Sequence, residues 1–150
     1  MTYIEFRNNM NIPTNCIEYL KNYYNNQLNF HKDKVIHMQS NKRTLNILEF
    51  RLLEQLIKTA TIAVPPNWHD ELLATPMNDD GMGSLTLYPK GVNEVPKRFM
   101  GACISEIMFK DKDGIEVIAS LNTDNNGNLY ELDIWKTDFS PLIELPTKFE

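Results

Sequence analysis

The stretch IEVIASLNTDNNGNLYELDIWKT, residues 115–137, decides the fold. Two runs of alternating apolar and polar residues flank Asn126-Gly127, the dipeptide that most strongly favours the mirror-image turns of tight hairpins. Taken as a two-residue loop, it sets Leu121 opposite Leu132 and Ala119 opposite Ile134. Val117, Ala119, Leu121, Leu132 and Ile134 then share one apolar face, as a strand period of two requires.

Working upstream, Lys112-Asp113-Gly114 is a second turn, and two registers compete for the strand before it. A three-residue loop with Gly114 left-handed puts Ile107 and Phe109 beside the apolar face, whereas a four-residue loop puts Glu106 there. Burying a carboxylate without a partner is costly, so the three-residue loop is favoured. The reverse face then carries the rows Met108–Ile118–Trp135, Glu106–Ser120–Asp133 and Ile104–Asn122–Glu131. Met, Ile and Trp in one row are unusual for a solvated sheet face, which points to a cover or a partner. The favoured cover is residues 1–43. Further strands are expected at 72–77, 84–89 and 99–110. The short turns between the last three strands force antiparallel neighbours.

Ahead of the strands, Asn46-Ile-Leu-Glu49 forms a capping box. Leu48, Phe50, Leu52, Leu53, Leu56, Ile57 and Ala60 follow on a wide apolar face, and Pro65-Pro66 ends the helix, predicted over 47–62. Pro13-Thr14-Asn15 with Glu18 marks another helix start, with Ile17, Leu20 and Tyr24 on one side. Val35, Ile36 and Met38 are a candidate short strand. The expected fold is α+β: an antiparallel sheet of about five strands with helices packed on one face, in a single domain of 150 residues. Residues 1–43 are read as an N-terminal helical extension and 44–142 as the core.

Composition narrows the function classes. A net charge of -5 argues against direct nucleic-acid binding and suits a basic partner. No run approaches the roughly 20 apolar residues of a membrane span, and no export signal opens the chain, so a cytoplasmic location is expected. Cys16 and Cys103 are far apart and are read as reduced core residues. His31, His37 and His69 are scattered. No nucleophile–base motif or zinc spacing occurs, so neither enzymatic activity nor a cofactor is expected. Gly81-Met82-Gly83-Ser84 precedes a strand and lacks the helix that phosphate cradles use. Asn122-x-Asp124-x-Asn126-Gly127 with Asp133 follows EF-hand spacing imperfectly, and hairpin chemistry explains it without a metal.

Two strings carry a resemblance, supported by Leu45…Glu49 with Leu52-Leu53. One is Pro76-Met77-x-Asp79-x-Gly81-Met82-Gly83-Ser84-Leu85. The other is Glu131-Leu132-Asp133-x-Trp135-Lys136-x-Asp138-Phe139-Ser140-Pro141-Leu142. From Leu45 to Leu142 the chain resembles a family of uncharacterised small bacterial domains found among immunity proteins of polymorphic-toxin and contact-dependent growth-inhibition systems. The resemblance implies a non-catalytic protein that binds and neutralises a toxin domain, expected to be a basic nuclease, by occluding its active site. Candidate partner-binding residues are Asp79, Asp80, Glu106, Met108, Glu116, Ile118, Glu131, Asp133 and Trp135, with Trp68 a further aromatic anchor. The alternatives are a ligand-binding or enzymatic pocket between helix 47–62 and the sheet, and self-association through the Met108–Ile118–Trp135 strip.

Overall fold

The computed structural model describes residues 41–149. The elements expected at 13–24 and 35–38, Cys16, His31, His37 and the proposed cover by 1–43 lie outside that range, except for residues 41–43. Helix α1 spans Ile47–Lys58, and strands β1 (Leu73–Pro76), β2 (Leu85–Tyr88), β3 (Met100–Lys110), β4 (Glu116–Asp124) and β5 (Leu129–Lys136) follow. They form an antiparallel sheet in the order β1-β2-β5-β4-β3. The architecture is the expected α+β, with one helix among the described residues.

The helix begins where its capping residues put it. Asn46 Oδ1 accepts from the Glu49 amide at 2.8 Å, and the Asn46 amide donates to Glu49 Oε1 at 2.9 Å. Arg43 adds a two-pronged bond to the same carboxylate. The helix stops four residues short of its predicted end. Thr59 turns its hydroxyl to the Leu56 carbonyl and to Ser105 Oγ, and the Thr61 amide donates to Ile104 O on β3. A threonine that bonds back into the last turn competes with helix propagation, and the sheet edge takes the chain instead.

The central register is as predicted: Leu121 faces Leu132, Ala119 faces Ile134 and Ile118 faces Trp135. The turn that sets it differs. Asp124 pairs with Asn128, leaving a three-residue loop with Gly127 left-handed, and a bulge at Tyr130 restores the register one step later. Asp124 dictates this, because its Oδ1 accepts from the Asn126 and Asn128 amides and closes the loop around the side chain. The other hairpin has the predicted three-residue loop with Gly114 left-handed. A bulge on β3 between Cys103 and Ser105 corrects the predicted Ile104–Asn122 row. Cys103 faces Asn122, and Ile104 turns into the core.

That core lies between α1 and one sheet face. Leu52, Leu53 and Leu56 pack with Val117, Ala119, Leu121, Leu132 and Ile134, all fully buried.

Candidate functional site

Three acidic loops meet at one end of the sheet, where β2 and β4 begin and β3 and β5 end. Lys136 ties two of them together. Its side chain is 1% exposed, and its Nζ donates to Asp111 Oδ2 at 2.9 Å, Asp113 Oδ2 at 2.6 Å and Pro141 O at 3.3 Å. Asp111 also accepts from the amides of Lys112, Ile143 and Glu144. Burial works against its charge, yet these donors and Lys136 hold its carboxyl down to about 2. One carboxylate thus clamps the segment after β5 onto the β3–β4 turn.

The β1–β2 loop docks on the same segment. Asp80 and Gly81 adopt consecutive left-handed conformations, and Gly81 O accepts from the Leu142 amide. A Cβ on Gly81 would lie 3.3 Å from Pro141 Cβ, so glycine serves both the turn and the close approach. Asp79 Oδ2 accepts from the Ser84 amide. Ser84 Oγ then accepts from the Ile134 amide at 2.8 Å and bonds Ile134 O at 3.2 Å, standing in for a strand residue where β2 leaves β5. The two strings that carry the family resemblance therefore form one junction. Asp80, Asp113 and Asp138 lie on its solvent side.

The predicted binding residues divide into two groups. Asp80 and Met108 are exposed, and Asp79, Glu106 and Glu116 are half-buried. Ile118, Glu131, Asp133 and Trp135 are buried, with Trp135 only 5% exposed. Of the Met108–Ile118–Trp135 row, expected to be covered or to meet a partner, only Met108, 49% exposed, reaches solvent, so Ile118 and Trp135 are not available as partner anchors. On that face the Phe139 ring lies 5.5 Å from the Trp135 ring, and Asn122 Nδ2 donates to Asp133 Oδ2 at 2.5 Å. Trp68 stacks on Phe50 of α1 at 5.2 Å.

Sequence reasoning named Lys136 and Asp138 only within the second string, with no role, and passed over Arg98. The period of two could have found the first, since Leu132, Ile134 and Lys136 share a face, as do Ile107, Phe109 and Asp111. An acid and a base at the ends of apolar rows on the two strands that flank β4 is a readable ion-pair signal. Arg98 gave no such signal, because it lies in a loop and acts at long range. Its Nε donates to Asp124 Oδ2 at 2.8 Å, and its two terminal nitrogens donate to Leu87 O and Leu129 O at 2.7 Å.

Other candidate chemistry has structural uses here. Burial, reinforced by Glu106, pushes the Cys103 thiol up to about 11, far from a thiolate at neutral pH. Asp124, the third position of the EF-like spacing, is committed to Arg98 and to its own turn. No group of three or more metal-binding side chains occurs among the described residues. The space between α1 and the sheet, where a pocket was an alternative, holds the leucines of the core. Beside β1 and β2, an open groove is lined by Lys42, Tyr88, Lys90 and Glu94; the Lys42 ammonium sits over Tyr88 and pairs with Glu94. No helix among the described residues is long and apolar enough to cross a membrane.

No curated protein and no solved structure matches the chain. A family match extends over residues 42–146, spanning the helix, all five strands and the clamped segment after β5. The chain belongs to the family described as Domain of unknown function (DUF6984).

Proposed function

We propose that this chain is a non-catalytic immunity protein that binds a basic toxin domain, in keeping with a nuclease, and occludes its active site from the cytoplasm of the producing cell. The observation that carries the reading is the convergence of acidic loops on one braced end of the sheet. Asp80, Asp113 and Asp138 sit on a junction whose backbone is fixed by Lys136, Ser84 and Asp111. Of the three lysines at this end, Lys136 is buried, Lys112 pairs with Glu144, and Lys110 is exposed at the last position of β3, opposite Glu116. A negative field on a preorganised surface raises the encounter rate with a basic partner and loses little entropy on docking. Asp79, Asp80, Glu106, Glu116 and Met108 remain as contact candidates from the sequence, joined by Asp113 and Asp138.

The test pairs the purified chain with the toxin domain encoded by the adjacent reading frame. A one-to-one complex that abolishes the toxin's activity is expected. Asp80→Lys should lower the association rate several-fold at low salt and leave dissociation nearly unchanged. Asp80 is the clean probe because Asp79 also holds the Ser84 amide. Failure to bind or protect, or an association rate insensitive to both salt and charge reversal, refutes the proposal.

A further inference from the structure

The sheet has two edges, and they are finished differently. At β1, Arg43 exchanges two backbone bonds with Ala74, at 2.9 and 2.7 Å, and closes the edge. At β3, one backbone bond among the described residues arrives from outside the sheet, from the Thr61 amide to Ile104 O. Beyond Ile104 the strand continues for six residues, Ser105–Lys110, which among the described residues are paired on the inner side alone.

The direction of the open groups follows from the ladder. The Asp111 amide bonds Ile115 O at the base of the turn, and bonded positions alternate along an antiparallel pair. Phe109 and Ile107 therefore turn their backbone groups toward β4, and Met108 and Lys110 turn theirs outward. The Glu116 carbonyl, opposite Lys110, confirms the alternation by accepting from Thr137 beyond β5. Met108 and Lys110 are both exposed. A row of outward amides and carbonyls on an exposed strand is a template for another strand.

The side chains along this edge say which strand fits. Glu106-Ile107-Met108-Phe109-Lys110 is complementary to itself when reversed about Met108. An antiparallel copy related by a two-fold axis at Met108 puts Met108 opposite Met108 and Glu106 opposite the other copy's Lys110. On the core side it puts Ile107 opposite Phe109, two half-buried side chains already packed against the core. Lysine on an edge strand ordinarily guards against pairing. Here the same axis supplies the guard with a counter-charge twice over, so one register is selected and its neighbours are penalised. A slip that centres the axis on Lys110 opposes like charges.

We propose that a second copy of this chain docks along β3, joining two five-stranded sheets into one continuous sheet through residues 106–110. The symmetry is closed, since each copy has one such edge and uses it once. The contact is narrow, so the dimer is concentration-dependent.

Sedimentation equilibrium of the full chain over roughly 10 µM to 1 mM covers the affinity expected of so small an interface. The mass should rise from 17.4 kDa toward twice that value. Amide exchange at Met108 and Lys110 should slow in parallel. Lys110→Glu should hold the chain monomeric at every concentration, as should Met108→Asp; both sites are exposed and leave the unfolding temperature close to wild type. Adding Glu106→Lys to Lys110→Glu should restore the dimer. A mass fixed at 17.4 kDa overturns the proposal, as does a dimer that survives both single substitutions. Restoration failing in a folded double variant overturns the register.

Discussion

Arg98→Met should be among the most damaging single substitutions in the described part of the chain. Arg98 is 5% exposed, and its guanidinium joins the loop before β3 to β2 and to the β4–β5 hairpin, through the Leu87 carbonyl, the Leu129 carbonyl and the Asp124 carboxylate. It also lies 4.7 Å from the centre of the Tyr130 ring. Methionine replaces the stem and removes every donor. Breaking a buried ion pair by deleting one partner costs about 3–5 kcal/mol, because the remaining charge stays buried. Two effects modify that range in opposite directions. Asp124 keeps the amides of Asn126 and Asn128, which soften the loss of its counter-charge. Leu87 O and Leu129 O lose donors, and an unsatisfied buried acceptor costs about 1–3 kcal/mol. The balance is a loss of about 4 kcal/mol, a large share of the stability of roughly 5–15 kcal/mol typical of small domains.

Urea unfolding of wild type, Arg98→Met and Arg98→Lys measures it. Lysine restores the charge but reaches one or two of the three acceptors, so it should fall between the other two proteins. A loss below about 1 kcal/mol for the methionine variant would show that the three bonds are not the fastening inferred from their geometry. So would a lysine variant no better than methionine.

Other consequences are open to measurement. Ser84→Ala removes the hydroxyl that serves both backbone groups of Ile134 and should cost about 2 kcal/mol by urea unfolding; a loss within error of zero counts against the junction. The folded Asp111 carboxyl, at about 2, titrates below the ordinary carboxyl value of 3.8, so its stabilising contribution is complete above about pH 4 and is lost as pH falls through 2. Asp111→Asn should therefore flatten the acid limb of the unfolding-temperature curve, and an unchanged limb would contradict the clamp. Cys103 should react slowly with a thiol reagent at pH 8 and accelerate toward its titration near 11; fast labelling of the folded protein at neutral pH would contradict its burial.

The sheet was legible because strand alternation and turn chemistry gave the same answer. Burial of Ile107 and Phe109 selected one register over another, and the geometry follows it. Both departures are bulges. An extra residue at Tyr130 offsets an extra residue in the Asp124 turn, so the pairing of Leu121 with Leu132 comes out the same by either route. A local pattern cannot reveal that compensation, which depends on Arg98 holding Asp124 from 26 residues away. Surface and interior were harder to separate. The row ending in Trp135 pointed to a cover, whereas Asp133 and Glu131 on the same face read as solvated; all three are buried, and Phe139 against Trp135 is one of the contacts responsible.

The junction bears on where specificity resides. Gly81, Gly83 and Ser84 are committed to the turn and to Ile134, while Lys136, Pro141 and Leu142 are committed to the clamp. A residue fully engaged in the fold has little freedom to change with a partner, because each replacement is charged against stability first. Asp80, Asp138 and Met108 differ: they ride on the same rigid frame with side chains in solvent. Substitution there acts mainly on the surface field, with a folding cost limited to the left-handed backbone of Asp80 and the two bonds that Asp138 accepts from Ser140. The two strings thus describe the frame, and on the proposed reading recognition falls to exposed side chains carried on it, such as Asp80 and Asp138. On the proposed reading, such a division lets one fold meet different basic partners by changing loop tips while Lys136 and Asp111 hold the loops in place.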